Sequence, residues 1–77
     1  MREARRDTAF PQLTVREREI LNIIAAPRQT TASAAAQLGI NPKRVENALT
    51  DIKAKLGAVN RMDLVAMARA AGLGTAP

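Results

Sequence analysis

Between Lys43 and Lys55 the chain places cations and hydrogen-bonding side chains at helical spacing. Val45, Leu49, Ile52 and Leu56 recur at steps of four, three and four. At about 100° per residue they fall on one narrow stripe, which must face a core. The opposite side then presents Lys43, Asn47, Thr50 and Ala54, flanked by Arg44, Glu46 and Asp51. Lysine and arginine neutralise phosphate, while asparagine and glutamate can pair with base edges. This face offers recognition of a polyanion rather than bond-making.

The rest of the composition argues against catalysis. The sequence contains no Cys and no His. Its acids are scattered, and it has no glycine-rich phosphate loop, so no nucleophile, general base or nucleotide cradle can be assembled from it. No disulfide framework or thiolate metal site is expected, and no cofactor. Twelve Lys and Arg against seven Asp and Glu give a net charge of +5, which draws a small domain toward nucleic acid. Most of that excess lies in the second half of the chain. Phe10, the one aromatic residue, offers no stacking platform, which argues against a single-strand or RNA binder. No apolar run approaches the length needed to span a bilayer, and a cytoplasmic location is expected.

Four short helices must position this face. Thr14 and Glu17 have the spacing of a capping box and open the first helix, whose buried side is Ile20, Leu21, Ile23 and Ile24. Pro27 is expected to end it. Thr30 caps the second helix, which runs through the alanines to Leu38 and breaks at Gly39. Asn41 caps the third, with Pro42 at the first helical position, and Gly57 stops it in a left-handed conformation. Asn60, with Asp63 three residues on, caps the fourth, which packs through Leu64, Val65 and Ala68 and ends at Gly72. Residues 1–12 read as a flexible arm or linker in which Arg2, Arg5 and Arg6 are solvated, residues 13–73 as one domain, and residues 74–77 as a frayed tail. The expected fold is all-α, with two helices joined by a glycine turn in helix-turn-helix order.

Three blocks of sequence add a resemblance. Leu13 to Leu21 (LTVREREIL), Leu38 to Asn47 (LGINPKRVEN) and Ile52 to Arg61 (IKAKLGAVNR) resemble, in order, the motifs of the LuxR/GerE family of bacterial transcription regulators. Leu64-Val65-Ala66 and Gly72-Leu73 are similar to its last helix. The resemblance implies a four-helix fold whose third helix, about 42–56, reads the major groove of double-stranded DNA. By position it implies base contacts from Glu46, Asn47 and Thr50, and backbone contacts from Thr30, Thr31, Lys43, Arg44, Lys53, Lys55 and Arg61. It further implies a homodimer through the fourth helix, around Met62, Val65, Met67 and Arg69, and an upstream sensor or receiver domain or partner protein.

The chain departs from the family pattern in several places. Pro27-Arg28 stand where a glycine is expected, Ala34 replaces a core isoleucine, Glu46 replaces a basic residue and Ala48 a histidine. Glu46 reads equally as a partner in a helix-surface ion pair. The competing function is a degenerate helix-turn-helix that binds a partner protein without reading DNA.

Overall fold

The computed structural model describes residues 10–74. Arg2, Arg5 and Arg6, and the last three residues of the expected tail, lie outside the described residues. Four helices follow in order: α1 (Val15–Ala25), α2 (Thr31–Leu38), α3 (Pro42–Leu56) and α4 (Arg61–Ala70). The described residues contain no strand, and the fold is the expected all-α helix-turn-helix arrangement.

Each helix starts where a side chain can replace the missing helical acceptor. Thr14 Oγ1 accepts from Glu17 N–H at 3.1 Å, and Glu17 Oε1 accepts from Thr14 N–H at 2.8 Å. Asn41 Oδ1 accepts from Arg44 N–H at 2.9 Å. At α4 Asn60 Oδ1 accepts from Asp63 N–H, but the Asp63 carboxylate reaches back past Asn60 to the Val59 N–H at 3.0 Å. The α2 cap is reciprocal in a less common way. Thr30 and Ser33 exchange bonds, and Ser33 Oγ also donates to Gln29 Oε1 at 2.7 Å.

The helix ends differ slightly from expectation. Helix α1 stops at Ala25, before Pro27 itself, because proline disfavours helical geometry in the preceding residue. Ala26 accordingly sits in the extended region (φ −69, ψ 151). Gly39 takes the left-handed conformation (φ 68) that lets Ile40 N–H return to the Ala35 carbonyl at 3.0 Å. Helix α4 stops at Ala70, two residues before Gly72. The Gly72 and Leu73 N–H groups then fold back to Arg69 and Ala68 carbonyls, both at 3.0 Å. That turn buries Leu73 (4 % exposed) and lays Gly74 on the end of α1. A Cβ at Gly74 would lie 2.6 Å from the Ala25 carbonyl carbon, so only glycine fits.

One core joins all four helices. Ile20, Leu21, Ile24 and Ala25 of α1 meet Ala34 and Ala35 of α2, Val45, Leu49 and Ile52 of α3, and Leu64 and Ala68 of α4. Leu13 and Leu73 close its two ends, and Phe10 packs against it. Ile23, expected inside, is only half-buried. No polar or charged residue is buried as a whole among the described residues, though the Arg18 Nε atom is. The result holds α3 by one side and leaves the other bare.

Candidate nucleic-acid interface

Burial along α3 follows the stripe. Val45 and Ile52 are wholly enclosed and Leu49 nearly so, while Lys43, Arg44, Glu46, Asn47, Thr50, Asp51 and Ala54 are exposed. A 15-residue helix rises about 22 Å, so this edge is long enough to follow a major groove across several base pairs. Asn47 carries its amide outward with no partner among the described residues. Thr50 differs: its hydroxyl donates to the Glu46 carbonyl at 3.1 Å. With that proton engaged, Thr50 faces outward as an acceptor and a methyl group.

Helix α2 meets this edge with its N-terminus. The reciprocal Thr30–Ser33 cap satisfies two of the four orphan N–H groups that open a helix. Those that remain carry the positive end of the helix dipole, which favours an anion. Thr31 next to them accepts from Arg61 Nη1 at 3.2 Å, which draws the start of α4 to the start of α2. Thr31, Glu46, Thr50, Lys53 and Arg61 line one hollow of about 230 Å³ floored by Leu49 and Leu64. The fold thus brings together Thr31, Lys53 and Arg61, expected to face the backbone, and Glu46 and Thr50, expected to face bases.

Lys55 and Arg69 each have a partner within the fold. Lys55 Nζ lies 2.7 Å from Glu17 Oε1, the oxygen that also caps α1. The Lys55 ammonium first, and the Thr14 N–H second, hold the Glu17 carboxyl below the usual carboxylate range, against a smaller opposing effect of burial. Arg69 Nε donates to the Ala25 carbonyl at 2.7 Å and so caps the end of α1 from α4. Sequence reading missed both. For Lys55 a signal existed, because three residues past Ile52 is 300° of helix, only about 60° from the buried stripe.

On α4, Met62 is 81 % exposed and shares an outer groove with Arg61, Val65, Ala66 and Arg69. Met67 is half-buried and does not line that groove. Arg16 and Glu19 form a surface ion pair at 3.7 Å, with both side chains about half exposed. No helix among the described residues is long and apolar enough to cross a membrane.

A family model described as "Bacterial regulatory proteins, luxR family" matches residues 11–68. Neither a curated protein nor a solved structure matches the chain.

Proposed function

Because the chain belongs to the luxR family of bacterial regulatory proteins, we propose that it binds double-stranded DNA sequence-specifically, with α3 in the major groove. The observation that carries this is the bare edge of α3, which runs beside the N-terminus of α2 and the Thr31–Lys53–Arg61 hollow. The family consists of helix-turn-helix DNA-binding transcription regulators rather than enzymes.

Roles divide by chemistry. Asn47 presents an amide that pairs with adenine through two hydrogen bonds. Glu46 accepts from a cytosine amino group, and Thr50 offers its methyl to thymine. Lys43 and Arg44 at the start of α3, with Lys53 and Arg61 at the hollow, neutralise phosphates on either side of the groove. Thr31 and the first N–H groups of α2 fix the backbone register. Pairing of two chains through the outer face of α4, around Met62 and Val65, would place two α3 helices on a two-fold symmetric site.

Selection of bound duplexes from a random pool tests this reading. A recovered motif with a C·G or A·T preference beneath Glu46 and Asn47 supports it. Failure to enrich any sequence, with no duplex binding at low salt, would overturn it in favour of a protein-binding helix-turn-helix.

A further inference from the structure

Lys55 is the cation whose position departs most from a backbone-contacting role. Its ammonium is 2.7 Å from a carboxylate that is itself only 12 % exposed. Glu17 stands in the first turn of α1, and Lys55 is the penultimate residue of α3. The pair therefore ties the beginning of one helix to the end of another, 38 residues apart in sequence. A phosphate that recruited Lys55 would have to strip it from Glu17. That would leave Glu17 Oε1 with the Thr14 N–H as its remaining partner and place an uncompensated anion beside DNA.

We infer that Lys55 does not contact DNA and is instead a positioning residue, clamping the C-terminal end of α3 onto α1 so that Asn47 and Glu46 meet base edges at a fixed angle. This rests on the DNA-binding reading above. The core stripe fixes which side of α3 faces inward, but an apolar contact tolerates small rotation about the helix axis. A short charge-assisted bond at the rim adds a second tie that narrows that rotation. Asn47 lies about 12 Å up the helix from Lys55, so a loosened end translates into misaligned base contacts.

The test compares Lys55→Met with Lys53→Met in the full chain. Each is titrated with fluorescent duplex carrying the pool-selected sequence and with poly(dI-dC), over a range of salt and well below the melting temperature. Lys53→Met is expected to reduce the log–log salt slope by about 0.9, the loss of one phosphate. Lys55→Met is expected to leave the slope in place and to lower the ratio of selected to non-selected affinity by about tenfold, as one misaligned bidentate base contact would. Lys55→Arg, which keeps the ion pair, restores the ratio. A slope loss in Lys55→Met equal to that of Lys53→Met makes Lys55 a phosphate contact and overturns the inference. An unchanged slope with an unchanged ratio reduces the pair to fold stability and overturns it equally. Melting temperatures of Glu17→Gln, Lys55→Met and the double variant test the clamp without DNA, and additive losses refute it. Wild-type protein that binds no duplex while the melting losses are non-additive removes the proposed function and leaves the clamp standing.

Discussion

Arg28 follows Pro27 in the loop between α1 and α2 and holds φ at +64, in the left-handed region. A side chain with a Cβ occupies that region at a cost of about 1–2 kcal/mol, which glycine does not incur. Arg28 is exposed and makes no hydrogen bond or ion pair among the described residues, so its guanidinium returns nothing to the fold. Replacing it by glycine relieves the strain but widens the freedom of the unfolded chain, an opposing effect of about 0.4–1 kcal/mol. The net expectation is stabilisation by about 0.5–1 kcal/mol. In a domain of this size that raises the melting temperature by roughly 2–8 °C. Arg28→Ala is the control, because it removes the same charge and keeps the strain. Thermal denaturation followed by circular dichroism at 222 nm measures both. Arg28→Gly is expected to melt above both the wild type and Arg28→Ala. If it melts at or below the alanine variant, the left-handed geometry at this position is not a source of strain.

Other substitutions probe the core, the clamp and the reading edge. Ile52→Ala removes a fully enclosed side chain shared by α3 and the core, with an expected loss of about 2–5 kcal/mol in urea denaturation, enough to unfold most of a domain this small. Glu17 has its folded pKa lowered, so its contribution is present above the ordinary glutamate range, near 4.3, and fades as pH falls through the lower folded value. Melting temperature should therefore drop more steeply on acidification in the wild type than in Glu17→Gln, and parallel curves would contradict the pairing. Glu46→Lys removes an anion from the reading edge and is expected to raise affinity for non-selected duplex while shifting preference at one base step. Unchanged affinity and preference would mean that this edge does not enter the groove.

Much of this architecture is written locally. Thr14, Thr30, Asn41 and Asn60 each cap the helix that follows, because a short polar side chain before an apolar-periodic segment has few better uses. The α3 stripe separated the inward from the outward side of that helix, because 3.6-residue periodicity leaves little choice. What was not legible depends on partners distant in sequence. A lysine on a helix reads as a phosphate contact or a solvated charge until the fold places Glu17 beside it. The bond from Arg69 to the carbonyl end of α1 is likewise invisible until the fold brings the two together. The half-burial of Ile23 has a similar origin: α1 has neighbours over only part of its apolar arc. The glycine missing at Arg28 was visible, but only the backbone shows that the left-handed turn persists without it.

The claim beneath all of this is that the polar edge of α3 and the hollow beside it bind the DNA backbone and bases together. Titration of a fluorescent duplex with the full chain, repeated from 50 to 300 mM salt, addresses it most directly. Contacts from Lys43, Arg44, Lys53 and Arg61 predict a log–log slope of about −3.6. A slope near zero, or no binding at the lowest salt, would contradict it.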